Sequence, residues 1–80
     1  MERTEIMTRV QAIFRTVLKN EAVILDDETT AEDVPGWDSL THVELIATIE
    51  KDFGIRFSIR EMLSWKTVGK MVDCIAKKIG

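Results

Sequence analysis

The sequence predicts an all-α fold: a small four-helix bundle with three longer helices, one short third helix and a long first loop. In three separate segments the apolar residues recur at spacings of three and four, as they do on one face of a helix. Residues that favour helix ends flank those segments. The only strand-like alternation, Ile55-Arg56-Phe57, has no second strand with which to pair.

The first helix is predicted to run for about four turns and to stop near Lys19-Asn20. Its inward face consists of Ile6, Val10, Ile13, Phe14, Val17 and Leu18. A connection of about eighteen residues follows, and this length is typical of a loop that is functional or internally packed. A brief helical turn is expected from Thr30 to Asp33. The residues expected to anchor the loop to the core are Val23, Ile24, Leu25 and Val34.

The second helix is predicted from Ser39 to Phe53. Asp38 is a favoured N-cap residue, and Gly54 suits the position just past a helix end. Two apolar stripes run along this helix. The inward stripe is Leu45, Ile46, Ile49 and Phe53, and the narrower one beside it is Leu40, Val43 and Ala47.

A short third helix is predicted from Ile59 to Leu63, because Ser58 and Glu61 match a capping box. Phe57 and Ile59 belong either to the core or to a rim where partners dock. Thr67 is expected to cap the last helix. Its inward face is Val68, Met71, Val72, Ile75 and Ile79, and Lys77 and Lys78 suit its C-terminal end.

Length and composition exclude several classes of protein. Residues 1–80 are expected to form one domain, because a second core would not fit. The single Cys74 predicts a reduced, intracellular protein, and one histidine cannot build a zinc site, so no metal ligand is assigned. The longest apolar run, Ala22 to Leu25, is far too short for a membrane span, and no signal peptide is evident. We therefore expect a cytoplasmic protein that binds no membrane.

The net charge of −3 conceals a strong asymmetry. Residues 20–50 contain nine acids and no Lys or Arg, whereas the chain carries +2 before this stretch and +4 after it. An acidic middle favours a basic protein partner over nucleic acid. A solvated acidic loop is the simpler explanation for the acids up to Asp38. It explains Glu44 and Glu50 less well, because they share a predicted helix with Ser39.

Ser39 is the candidate for chemistry. It follows Gly36-Trp37-Asp38 at the start of a predicted helix, where free backbone N–H groups and the helix dipole suit a covalently attached phosphate. The alternative is a first-turn serine without chemistry. A role as a hydrolase nucleophile is disfavoured, since His42, about one turn further along the helix, is a lone neighbour and no histidine–acid pair is evident.

Asp38-Ser39-Leu40, followed by Val43-Glu44-Leu45 and Phe53-Gly54, resembles the acyl and peptidyl carrier proteins, as a discrete stand-alone carrier. The resemblance runs nearly end to end. It implies that a phosphopantetheinyl transferase, using coenzyme A and Mg²⁺, attaches 4′-phosphopantetheine to Ser39. The terminal thiol then holds an acyl or aminoacyl cargo as a thioester, and the chain itself has no catalytic residues. Asp38 and Leu40 flank the cofactor, with Leu40 turned inward so that Ser39 faces outward.

The same resemblance implies partners that present a basic patch to the second helix: the transferase, and the loading and condensing enzymes that use the cargo. We expect a monomer that binds no nucleic acid. The implied partner-binding residues are Asp38, Leu40, Val43, Glu44, Ala47 and Glu50. The alternative function is a helical adaptor of carrier fold, which binds partners through its acidic face and carries no cargo.

Four positions bear on the pathway, for which fatty-acid, polyketide or another specialised synthesis are the alternatives. Thr41 and Lys51 stand where fatty-acid carriers commonly have acids. Trp37 and His42 resemble more closely the residues found in carriers of polyketide, nonribosomal peptide or surface-polysaccharide pathways. His42 is expected to face solvent near the prosthetic arm, and Trp37 to act as a hydrophobic staple or loop anchor.

Two residues of the C-terminal part have structural assignments. Trp65 is expected to pack over the junction of the short helix and the last one. Cys74 lies on the flank of the last helix's apolar face and is assigned as a partly buried structural thiol.

Overall fold

The computed structural model describes residues 1–80 and contains helices but no strands. Its elements are α1 (Arg3–Leu18), a 3₁₀ turn (Ala31–Asp33), α2 (Ser39–Phe53), α3 (Ile59–Ser64) and α4 (Val68–Ile79). The predicted all-α class, with three longer helices and one short third helix, is confirmed. Helix α1 packs against α2 and α4, and α3 packs against α4. No helix combines the length and the apolar character needed to cross a bilayer.

One cluster of buried hydrophobic side chains fills the space between the helices. The predicted inward stripes supply most of it, because residues three and four apart share a helix face. Val17, Leu18, Phe53 and Ile79 were assigned to those stripes but are only partly buried at the edge of the cluster. The fully buried side chains are Ile6, Val10, Phe14, Leu45, Ile49, Val68, Met71, Val72 and Ile75.

The long loop is anchored as predicted at three of four positions. Val23, Leu25 and Val34 are buried, but Ile24 is 77% exposed, so its assignment as an anchor was wrong. This segment is not helical. In such a chain, neighbouring side chains turn to opposite sides, and burying Val23 and Leu25 leaves Ile24 outside.

Backbone hydrogen bonds attach the loop to the start of α4. The N–H of Val68 donates to the carbonyl of Thr29 at 2.8 Å, and the N–H of Gly69 donates to the carbonyl of Asp27 at 3.0 Å. A Cβ at position 69 would lie 2.7 Å from that Asp27 oxygen, so this approach requires glycine. Arg3 adds an ion pair to Asp27 at 2.7 Å. The acidic loop is therefore an integral part of the bundle.

The predicted helix ends are confirmed by their capping contacts. Gly54 ends α2 in the left-handed conformation, with φ of 67°. Ser58 and Glu61 form the reciprocal capping box of α3, and the hydroxyl of Thr67 accepts the Lys70 N–H at the start of α4. The residue types at the helix ends therefore set the bounds of these three helices.

Candidate functional site

Ser39 is the first residue of α2, and its exposed hydroxyl makes no hydrogen bond within the protein. The turn around it is ordered by its neighbours. Asp38 Oδ1 accepts the N–H groups of Leu40 at 2.9 Å and Thr41 at 3.0 Å. These contacts fix the backbone at Ser39, and the Ser39 hydroxyl takes no part in them.

Thr41 completes a reciprocal cap with Asp38. Its hydroxyl accepts the N–H of Asp38 at 2.8 Å and donates to the carbonyl of Gly36 at 2.8 Å. The N–H of Thr41, followed by that of Leu40, holds the pKa of Asp38 below its ordinary value, because both stabilise the carboxylate. Thr41 therefore supports the turn that carries Ser39.

Fewer backbone N–H groups are free at this helix end than the sequence analysis predicted. The Asp38 carboxylate already occupies the N–H groups of Leu40 and Thr41. The N–H of Ser39 donates no hydrogen bond within the protein. An anion attached at Ser39 therefore meets this one N–H and the positive end of the α2 dipole.

Leu40 does not turn inward, so this prediction was wrong. Its side chain is 79% exposed. The buried face of α2 is set by Leu45, Ile46 and Ile49. At 100° per residue, Leu40 lies about 140° around the helix from Leu45, and this angle places it on the outer surface. The outward direction of Ser39 comes instead from the Asp38 and Thr41 caps.

Exposed apolar side chains lie on both α2 and α3. Leu40 and Val43 are exposed on α2, and Ile59 and Leu63 are exposed on α3. Ile59 therefore belongs to the surface and not to the core. Leu63 was missed by the sequence analysis. The spacing of Ile59 and Leu63 puts both on one face of a six-residue helix, and nothing in that pattern says whether the face is covered.

The three acids assigned to the partner-binding face differ in what their carboxylates contact. Glu44 is exposed and its carboxylate makes no hydrogen bond or ion pair within the chain, since only its backbone carbonyl accepts a side-chain hydrogen bond, from Thr48. Asp38 is engaged by its own helix, as described above. Glu50 is half-buried, and its Oε2 accepts the N–H of Phe57 at 2.8 Å. Ala47 lies exposed between the two glutamates.

Ser39 borders an open cleft of about 470 Å³. The residues lining the cleft are Ala31, Trp37, Asp38, Ser39, His42, Trp65 and Lys66. His42 is half-buried here, which corrects the expectation that it faces solvent. Its Nδ1 accepts the indole N–H of Trp37 at 3.1 Å, and burial lowers its pKa below the ordinary value. The imidazole is therefore neutral at pH 7, with its proton on Nε2.

The inner wall of the cleft belongs to a continuous series of five rings, which we call the aromatic row. The ring centroids are separated by 4.8 Å for Phe14–Trp37, 6.0 Å for Trp37–His42, 6.3 Å for His42–Trp65 and 4.7 Å for Trp65–Phe57. Trp37 is confirmed as an anchor of the loop end, because it packs edge-on against Phe14. Phe57 is buried and belongs to the core.

Trp65 lies between α3 and α4, as predicted, and its buried indole N–H has no hydrogen-bond partner. Cys74 is half-buried on α4, and its thiol donates to Glu61 Oε2 at 3.6 Å. Burial raises the pKa of the Cys74 thiol, which favours the neutral form. The structural assignment of Cys74 agrees with this environment.

Comparison with known proteins identifies the family. A family model described as a phosphopantetheine attachment site matches residues 8–75. The acyl carrier protein of Thermotoga maritima is 32% identical over 78 residues, which cover 98% of this chain and 96% of that protein. The chain belongs to the acyl carrier protein family. The acyl carrier protein of Thermosynechococcus vestitus, 34% identical over 80 residues, covers 99% of this chain.

A solved structure and a larger enzyme extend the similarity. The solution structure of holo acyl carrier protein from Geobacter metallireducens has a TM-score of 0.87 and 36% identity, covering 91% of this chain and 84% of that one. A stretch of the non-reducing polyketide synthase pkdA of Emericella nidulans is 31% identical over 89% of this chain, but only 3% of that enzyme is covered.

The prosthetic group of acyl carrier proteins is 4′-phosphopantetheine, and family members are carriers rather than catalysts that work with transferase and synthase enzymes. The residues at the start of α2 fit this group. They provide an exposed serine hydroxyl that makes no hydrogen bond within the protein, a free N–H on the same residue and an open cleft beside it.

Proposed function

We propose that this chain carries acyl or aminoacyl intermediates as thioesters on a 4′-phosphopantetheine arm attached to Ser39, and delivers them to partner enzymes. The pathway is fatty-acid, polyketide or another specialised synthesis. The observation that supports this function best is the unoccupied hydroxyl of Ser39 at the capped, exposed start of α2. The chain itself performs no catalysis.

The attachment is a group transfer that needs a partner enzyme. The Ser39 oxygen forms a bond to a phosphorus atom of coenzyme A, while the pyrophosphate bond breaks and the nucleotide leaves. The hydroxyl proton passes to a base on the transferase. The nearby His42 is not that base, because its Nδ1 already accepts the indole N–H of Trp37. This same contact argues against a hydrolase in which Ser39 is activated within the chain.

Partner enzymes are proposed to dock on a surface that we call the docking face: Leu40, Val43, Glu44 and Ala47 of α2, with Leu63 of α3. Its residues are exposed. Glu44 supplies the acid for a basic patch, since its carboxylate makes no hydrogen bond or ion pair within the chain. Asp38 and Glu50 add negative charge to the same helix, but their carboxylates also hold the fold. Exposed apolar side chains around a free acid are typical of a surface that binds weakly and repeatedly.

The test is intact mass before and after incubation with coenzyme A, Mg²⁺ and a broad-specificity phosphopantetheinyl transferase. The wild-type chain should gain one phosphopantetheine, and Ser39→Ala should gain none while keeping its helical circular dichroism. Ser64→Ala, which removes another exposed serine hydroxyl, is the control and should be modified like the wild type. A gain by Ser39→Ala would show that the wrong residue was chosen.

A folded wild-type chain that gains no mass would favour the adaptor instead. In that case the docking face would bind partners without any cargo. Capture of partners by the unmodified chain, lost on Glu44→Lys, would then be the supporting measurement.

A further inference from the structure

The aromatic row closes the bundle on the side where Ser39 lies. Its five rings come from five parts of the chain: α1, the end of the long loop, α2, the α2–α3 connection and the α3–α4 connection. Successive ring centroids are no more than 6.3 Å apart. Such separations are those of aromatic rings in contact, so the row leaves little room for another group to pass between them.

The rings are also held in orientation. Trp37 meets Phe14 edge-on at 86°, and Trp65 meets Phe57 edge-on at 88°. The hydrogen bond from the Trp37 indole to His42 Nδ1 fixes the middle of the row. A ring that moved aside would have to break one of these contacts, so the contacts favour a closed row.

The interior of the bundle is closely packed. Val10, Leu45, Ile49 and Met71 in the core are completely buried. Protein interiors of this kind have few voids, and an inserted alkyl chain must displace side chains. The cleft, by contrast, is already open and has Ser39 among its lining residues.

We propose that the group carried on Ser39 rests in the outer cleft between Trp37, His42 and Trp65, and that the aromatic row excludes it from the core. The preferred cargo is then a short acyl or aminoacyl group, and long alkyl chains gain no protection from the bundle. This inference rests on the proposed function, because it requires the arm to be attached at Ser39.

The cleft offers suitable contacts for an amide-containing arm that ends in a thioester. A cavity of about 470 Å³ is the size of a small-molecule site. Because His42 Nδ1 accepts the Trp37 indole N–H, Nε2 carries the ring proton and can donate to a carbonyl oxygen. The indole faces of Trp37 and Trp65 provide flat apolar walls. Lys66 on the rim adds a positive charge near a phosphodiester at Ser39.

The test compares the unmodified chain with chains loaded with acetyl- or octanoyl-phosphopantetheine, made from the acyl-coenzyme A with the transferase. In NMR spectra, the indole N–H signals of Trp37 and Trp65 should shift between the unmodified and acetyl forms. The methyl signals of Val10, Leu45 and Ile49 should coincide in the acetyl and octanoyl forms. Core methyl signals that move only with octanoyl, or indole signals that do not move on loading, would overturn the inference.

Intact mass of the same samples separates this inference from the proposed function. If no group is added, the carrier function fails before the position of the cargo is in question. If the group is added, the NMR comparison judges the position alone.

Trp65→Ala tests whether the row is the barrier. Opening it should let the octanoyl chain enter, so that core methyl signals move and thioester cleavage by hydroxylamine slows about tenfold, as for a 1.4 kcal/mol preference for the enclosed state. Ile24→Ala, exposed and outside the cleft, should behave like the wild type. If Trp65→Ala folds and its core methyl signals do not change on loading with octanoyl, the aromatic row is not the barrier. If Trp65→Ala does not fold, His42→Ala, which removes a smaller ring of the row, replaces it.

Discussion

Replacing Glu50 by alanine is expected to destabilise the fold, although Glu50 belongs to the helix that faces partners. Its Oε2 accepts the N–H of Phe57 at 2.8 Å, and Phe57 is buried. Without the carboxylate that N–H loses its acceptor, at a cost of about 1–3 kcal/mol. In a domain of this length, each kcal/mol lost from the free energy of unfolding lowers the melting temperature by several degrees. Glu50→Ala should therefore melt about 5–20 °C below the wild type.

Two further variants separate the hydrogen bond from the charge. Glu44→Ala removes an acid from the same helix, but its carboxylate makes no hydrogen bond or ion pair within the chain, so stability should change by less than about 0.5 kcal/mol. Glu50→Gln removes the charge and keeps an oxygen that can accept the Phe57 N–H. It should therefore melt between the wild type and Glu50→Ala.

The assay combines thermal unfolding, followed by circular dichroism, with the kcat/KM of transferase loading at a temperature where all variants are folded. Glu44→Ala should lower kcat/KM about twofold to fivefold, as for loss of an exposed ion pair, without changing the melting temperature. Equal melting temperatures for Glu50→Ala and Glu44→Ala would refute the reasoning, because they would show that the Glu50 carboxylate does not support the fold.

Two other predictions concern the loop and the pH dependence of stability. Gly69→Ala should lower the free energy of unfolding, measured in urea, by about 1–3 kcal/mol, because the new Cβ would lie 2.7 Å from the Asp27 oxygen. This loss is expected although alanine favours a helix more than glycine does. Lys70→Ala, exposed on the same turn, is the control, and equal stability of the two variants would contradict the close approach. The Ser58 N–H, followed by the Lys78 ammonium, lowers the pKa of Glu61 from 4.5 to about 2. The stabilisation that these contacts give is therefore complete above pH 4.5 and is lost as the pH falls toward 2. Glu61→Gln should flatten the melting-temperature profile in that window, and an unchanged slope would assign the acid sensitivity to other groups.

The parts of the fold that depend on neighbouring residues could be predicted from the sequence. Asp38, Ser58 and Thr67 each cap a helix through a residue two or three positions later, and Gly54 ends α2 through its own conformational freedom. The relevant partners lie within one turn, so the pattern of residue types contains the interaction. The position of Ser39 followed from the same local rules.

Contacts between distant segments could not be predicted in this way. Glu50 and Phe57 are separated by a helix end, and no local rule pairs them. The exposed position of Leu40 depends on which stripe of α2 faces α1, which is a tertiary choice. His42 is half-buried between Trp37, five residues before it, and Trp65, more than twenty residues after it, and the second of these contacts follows from no local rule. A residue's type gives no information about such neighbours.

The hydrogen bonds that order the Ser39 turn all lie within residues 36–42. The start of α4, by contrast, depends on carbonyl groups of the long loop, Asp27 and Thr29. Proteins open in local cooperative units, so contacts between distant segments open separately from contacts within one turn. In hydrogen exchange, the N–H groups of Val68 and Gly69 should therefore become labelled together with the loop, and independently of those of Leu40 and Thr41. A transferase would meet an ordered serine even in molecules whose loop had come away.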